Sequence, residues 1–548
     1  MKKKSLSWML ALVATQSVMA AASVSGNDVA LKFNPQGSTD KVLRMPDGKT
    51  VKYRAYEHIY YVTNVEDSTY QYLNFYVPES VYASGNDDVP ILLRTYVGGY
   101  MAAKAMEPSG TDATGRALLE GYAVCIPGAR GSNSIVEKNG KQIYTGRIPA
   151  GLLDLKAAVR YLRLNDGLMP GNAEKIITDG TSAGGAMSSL LESTGNSPLY
   201  DDYLKKMGAA DARDDVFAAV CYCPITDLEH ADMAYEWLYQ CTNTKVRQLT
   251  EEQQKISAEL AEAYPAYLNS LQLKAPDGTL LTADNYLDYV KSFLIQSVQR
   301  ARNEGCDIPD SIGITLNERQ MPMMGNRPPA FDKSTRFKPK DGIRRPDAGN
   351  GTPTPPTANN RRDAAAAPAD IDARQAPSFG PQGITMHKEQ GEFVLDIDMP
   401  TYLNYVATTA ALKLPPAFDT QGVLPGNTDS AENRAFGNAE GSSVNFTAYA
   451  ISKATNGKTQ KVDEALRTRI YLINPMNFIA DAGSTKAQHW YIRHGARDRD
   501  TSFCVPINLA TKLMNCGYDV DFRLPWNRPH SGDYNLDDLF EWIGSVTR

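Results

Sequence analysis

The chain has 548 residues, with 57 Lys and Arg against 63 Asp and Glu, and 42% of its residues are apolar. So even a charge balance excludes a polybasic protein that coats nucleic acid, and a chain this long and apolar can bury a core, which excludes wholesale disorder. Its length fits three or four domains of about 150 residues, or one large α/β unit carrying an insertion.

At the N-terminus Lys2, Lys3 and Lys4 precede an apolar run from Leu6 to Ala22 that ends in small residues. This pattern predicts an export signal over residues 1–22, cleaved near Ala20 or Ala22, with an apolar stretch shorter than a membrane span needs. A secreted or periplasmic protein without a stable membrane anchor is expected. Seven cysteines in an exported chain allow up to three disulfides. Cys221 and Cys223 alternate with Tyr222 in an apolar run, which puts both on one face of a strand and argues against a bridge between them. Neither Cys-x-x-Cys nor His-Glu-x-x-His spacing occurs, so no metal and no other cofactor is expected.

Strands are predicted at 59–63 and 73–77, then at 91–97, where a β-branched apolar run closes on Gly98-Gly99, and at 122–126, which stops at Pro127-Gly128. Leu152, Leu155, Val159 and Leu162 recur at helical spacing, and residues 176–178 lead into a glycine-rich turn and a helix-compatible stretch at 186–192. The next strand is expected at 216–223. Strands alternating with helices argue for a mostly parallel sheet covered on both faces. From residue 230 to 488 the alternation stops, apart from one amphipathic helix around Tyr286, Val290 and Leu294. Within this stretch residues 321–380 hold ten prolines and no Leu or Val, too little apolar area to offset the entropy of ordering them. The pattern resumes with strands at 490–492 and 520–524 and helices at 506–514 and 536–546. The chain therefore divides into a core at 23–229 and 489–548 and an insert at 230–488.

Gly180-x-Ser182-x-Gly184 lies between a predicted strand and a predicted helix, the context in which a serine is held exposed on a strained turn. Such a nucleophile needs a base to take its proton and a carboxylate to orient that base, in the chain order serine, acid, histidine. Of the histidines after Ser182, His230 sits at the edge of the insert, His387 beside the proline-rich stretch, His489 begins a strand, and His494 ends it ahead of the best acids. His530, between the last strand and the closing helix, is the expected base. The acid is expected in the loop after residue 492, where Asp498 lies nearer the strand and Asp500 is the second choice. Two N–H groups should meet the oxyanion, that of Ala183 and one from the Gly98-Gly99 loop, assigned to Gly99.

Five blocks in this order, Asp154 to Leu162, Gly180 to Ala186, Cys223 to Leu228, Asp498 to Ser502 and Pro529 to Tyr534, resemble the bacterial tannases, or tannin acylhydrolases. The resemblance implies an α/β-hydrolase fold with a large inserted lid domain and hydrolysis of galloyl esters to release gallic acid. It implies Asp498 as the triad acid, with Asp500 on the galloyl hydroxyls and, from the lid, Lys413 and Glu432. Three adjacent phenols are donors that must be satisfied when buried, so carboxylates beside them make chemical sense. Thr181 and Pro529 stand where the fungal enzymes pair cysteines, so the resemblance is to the bacterial type. A small galloyl ester or tannin is the expected partner, and no nucleic acid. The alternatives are a feruloyl or general carboxylesterase of the same fold and an inactive hydrolase-like binding domain.

Overall fold

Residues 91–94, 123–127 and 218–222 are buried at every position, as strands covered on both faces must be. The computed structural model describes residues 28, 30–242, 244–317, 393–419 and 430–548. The signal expected at 1–22, the proline-rich stretch at 321–380 and His387 lie outside the described residues.

Among the described residues nine strands join in one sheet: β1 (Ser38–Arg44), β2 (Thr50–Tyr60), β3 (Tyr72–Pro78), β4 (Ile91–Arg94), β5 (Ala123–Pro127), β6 (Ile176–Thr181), β7 (Ala218–Tyr222), β8 (His489–Arg493) and β9 (Asp519–Arg523). Their spatial order is β1-β2-β3-β5-β4-β6-β7-β8-β9. The run from β5 to β9 is parallel, and β1, β2 and β3 form an antiparallel edge.

Alternating side chains send the two faces of this sheet into separate cores. Ile91 and Leu93 pack with α2 (Ala150–Leu164) and α3 (Ala183–Ser193), whereas Leu92 packs with α1 (Ala113–Leu119) and the closing helix of the chain. Between β7 and β8 come α4 (Leu228–Tyr239), α5 (Glu251–Ser270), α6 (Tyr286–Asn303), α7 (Met399–Thr409) and the short α8 (Ala431–Ala435). A third core joins Tyr235, Tyr264, Val290 and Tyr402 of this lid to Ala496 and Phe503, which follow β8. The lid thus rests on the loop at the C-terminal end of β8. Helices α9 (Cys504–Asn515) and α10 (Leu536–Val546) complete the chain.

Three expectations are corrected. The strand expected at 59–63 begins at Thr50, pairs with the unanticipated β1 and stops at Tyr60; as an edge strand β1 carries only a weak apolar pattern. The strand expected at 91–97 stops at Arg94. All seven cysteines are free thiols. Cys125 on β5 and Cys221 on β7 are three strand spacings apart, about 14 Å, twice the reach of a disulfide. Cys223 follows β7 with φ +42°, so it no longer alternates with Cys221. Among the described residues no helix is long and apolar enough to cross a membrane.

Candidate active site

The chain turns from β6 into α3 at a single residue, Ser182, with φ 63° and ψ −123°. A non-glycine residue holds such a strained conformation only when its surroundings fix it. Here Ser182 N–H donates to Tyr222 O at 2.8 Å, and Ile225 N–H donates to Ser182 O at 3.3 Å. Backbone also packs on backbone: a Cβ at Gly180 would lie 2.3 Å from Gly184 O, and one at Gly185 2.6 Å from Tyr222 O. Ala183 is the first residue of α3, where helix geometry gives the N–H no intrahelical acceptor.

Asp498 lies fully buried in the loop after β8. Its carboxylate accepts from Asp500 N–H at 2.8 Å, Thr501 N–H at 3.2 Å and His530 Nδ1 at 2.7 Å. Burial alone would raise its pKa, but the imidazoles of His530 and His494 pull it well below the usual carboxylate range. Conversely, burial would lower the pKa of His530, and the Asp498 charge holds it well above the ordinary imidazole value. Tyr239 of α4 donates to Asp498 O at 3.0 Å, and Tyr235 and Tyr402 donate to Arg499 O and Ala496 O. Three lid tyrosines therefore clamp the acid-bearing loop.

The His530 loop is tied to the serine-bearing strand. A Cβ at Gly532 would fall 2.1 Å from Thr181 Oγ1, next to Ser182. Arg94, at the end of β4, grips both Asp533 oxygens at 3.1 and 2.9 Å and reaches Asp179 of β6 at 2.5 Å. With Nδ1 on Asp498, His530 has Nε2 left for a reacting group. No Ser182–His530 hydrogen bond forms among the described residues.

Two sets of potential metal ligands converge here, Cys223 with His494 and Asp498, and Asp498 with Asp500 and His530, each with its ligand atoms within 4.8 Å of one another. Both use the carboxylate that orients His530, so an ion in either would compete with the imidazole for it. His494 is fully buried, 3.5 Å from Asp498 and edge-on to Phe503.

Beside these groups opens a pocket whose polar wall holds Asp232, Tyr235, Lys413, Glu432 and Asp500. Ile225, Phe446 and Pro416 give it apolar walls. Ile225 connects pocket to elbow: besides its N–H on Ser182, its carbonyl accepts from Tyr100 OH at 2.7 Å. Lys413 and Glu432 form an ion pair. Burial opposes both charges, but each partner outweighs it, keeping the lysine pKa raised and the glutamate pKa lowered. Gly99 takes φ +56° in a tight turn closed by Met101 N–H on Gly98 O at 3.0 Å, and a Cβ there would touch Ala431, the neighbour of Glu432, at 4.0 Å.

A solved tannin acyl hydrolase in complex with 3,4-dihydroxybenzoate is 34% identical, covering 95% of this chain and 99% of its own, with a TM-score of 0.73. The Lactobacillus plantarum tannin acyl hydrolase is 33% identical over 95% of this chain and 99% of its own, with a TM-score of 0.72. Fusobacterium nucleatum tannase is 34% identical over 94% and 99%, also at 0.72. The chain belongs to the tannase family. It is accordingly an α/β hydrolase with a lid, and a carboxylic ester hydrolase. The BD-FAE family profile matches residues 73–272. No curated protein matches the chain.

Of the tannase-site residues expected from sequence, Asp498 and His530 are bonded to each other, the His530 loop abuts Thr181 next to Ser182, and Asp500, Lys413 and Glu432 share one pocket. Asp232 and the three clamping tyrosines were not anticipated. The available signal was the spacing Leu228, Ala231, Asp232, Tyr235, one helical face on which an acid interrupts apolar residues.

Proposed function

We propose that this tannase-family esterase is a serine hydrolase that releases gallate from galloyl esters through an acyl-enzyme. Ser182 attacks the ester carbonyl while His530 takes its proton through Nε2, and Asp498 holds the ring in the Nδ1–H tautomer and stabilises the imidazolium. The N–H groups of Ala183 and Gly99 receive the oxyanion. The alcohol leaves with the proton from His530. Water activated by the same imidazole then attacks the acyl carbon, and gallate departs as Ser182 recovers its proton. The missing Ser182–His530 hydrogen bond is compatible with this scheme, because such contacts tighten in the substrate complex. Residues 1–22 are proposed to direct export.

The observation that carries the proposal is the turn from Asp498 to Asp500. One of its carboxylates orients the base and the other lines the pocket, with ligand atoms of Asp498, Asp500 and His530 all within 4.8 Å. A galloyl carbonyl at the serine would therefore set its ring among Asp500, Glu432 and Lys413, which supply acceptors and a donor for the phenols. A related tannin acyl hydrolase has been solved in complex with ethyl gallate. The test compares methyl gallate, methyl benzoate and ethyl ferulate as substrates for the wild type and Ser182→Ala. Strong preference for methyl gallate and loss of turnover in the variant are expected; equal rates on the three esters would reject the galloyl assignment, and ester turnover by Ser182→Ala would reject the mechanism.

A further inference from the structure

Asp232 stands on the pocket face of α4, and its two oxygens are in different situations. Oδ2 accepts from Ala417 N–H at 2.9 Å, which fixes the wall that follows Pro415 and Pro416. Oδ1 has no hydrogen-bond partner among the described residues, and Asp232 lines the cavity. The charged groups around it are committed elsewhere. Lys413 is paired with Glu432. Glu236, one turn along α4, takes both nitrogens of Arg247 at 2.6 and 2.8 Å. Asp500 faces the same cavity as a further carboxylate. A buried acid placed among other acids, with the nearby lysine already paired, favours its neutral form.

Taking the galloyl reading above as given, we propose that Asp232 is a specificity-determining residue for the acyl ring, its Oδ1 hydrogen-bonding a phenolic oxygen beside Asp500, Lys413 and Glu432. Burial, reinforced by Glu432 and Glu236 and opposed by the Ala417 N–H and Lys413, raises the carboxyl pKa to about 7. Because Oδ2 is occupied as an acceptor, the proton sits on Oδ1 and points into the pocket. Below that pH Asp232 is a donor. The phenol hydrogens can then go to Asp500 and Glu432 while a phenol oxygen accepts from Asp232. Above it Asp232 becomes another acceptor and another negative charge, and the donor is gone.

The test is KM against pH, from about 5.5 to 8, where a carboxyl titrating near neutrality changes state, for methyl gallate and methyl benzoate. In the wild type the methyl gallate KM should rise about tenfold through this window, as expected for loss of one hydrogen bond in a buried site, while the methyl benzoate KM stays flat. Asp232→Asn can keep the Ala417 contact through its carbonyl and present an NH₂ donor at every pH. Its methyl gallate KM should stay flat and near the acid value of the wild type, a result that a purely structural role in holding Ala417 would not give. The same rise in Asp232→Asn as in the wild type, or an equal rise for methyl benzoate, overturns the proposal. Absence of any wild-type preference for methyl gallate would instead overturn the galloyl reading itself, so the two failures are distinguishable.

Discussion

Around Ser182 position is set by backbone packed on backbone, whereas around the ring pocket it is set by side chains paired with side chains. On the sheet side Gly180, Gly185 and Gly495 leave no room for a Cβ against neighbouring backbone, and strand ends carry the turn and both partner loops. On the lid side Lys413 needs Glu432, and the walls hang on Asp232 and Tyr235. The two sides divide the labour. Proton transfer demands fixed geometry for any acyl ester, and stiff backbone contacts supply it; choice of acyl group demands chemistry that can vary, and exchangeable side chains on helices supply that. The two meet at the loop carrying Asp498 and Asp500.

The largest expected effect comes from the sheet side. Asp498→Asn should lower kcat by about 10⁴-fold, the scale of losing the acid that fixes the imidazole tautomer, and equally for methyl gallate and methyl benzoate. Its acid limb should also move. The Asp498 charge raises the His530 pKa, and the base works only when neutral, so activity is lost as pH falls through that raised value. Removing the charge shifts the loss to lower pH, which the pH dependence of kcat/KM would reveal. A penalty confined to one ester would show that Asp498 serves the acyl ring rather than proton transfer.

Next, Asp500→Asn should cost about 10- to 100-fold in kcat/KM for methyl gallate, the range for leaving a buried polar contact unmade, with methyl benzoate nearly unchanged. Equal losses on both esters would show that Asp500 serves the chemistry rather than the ring. The smallest effect tests the backbone packing: Gly185→Ala puts a methyl 2.6 Å from Tyr222 O. It should destabilise the fold by about 1–3 kcal/mol, measured by thermal or denaturant unfolding, and leave the preference between the two esters intact.

The parts legible in the sequence were those whose signals are local. The run at 91–94 was recognisable as a strand because Ile91, Leu92 and Leu93 are apolar in succession, and the turn at Ser182 because glycines two residues to either side permit it. His530 was legible from its place between the last strand and the last helix. The edge strand β1 was not, since its half-exposed residues carry no clear alternation. Nor was the free state of the seven cysteines, because cysteine number says nothing of Cα separation across a sheet. His494 looked like a strand-end residue and proved to be a fully buried neighbour of Asp498, 3.5 Å away. Tyr235, Tyr239 and Tyr402 carry no local signal of their role, and only the placement of α4 and α7 against residues 496–499 turns their hydroxyls into clamps.

By itself, then, the sequence determined the parallel sheet, the strained serine turn and the chain order of the proposed reactive groups, because hydrophobic periodicity and glycine placement act over a few residues. Only the tertiary structure decided which acids share a cavity. Asp232, Glu432 and Asp500 come from three separate segments, the nearest two 68 residues apart, and the ionisation of Asp232 and Glu432 depends on a burial and a set of neighbours that exist only with the lid packed on the loop after β8.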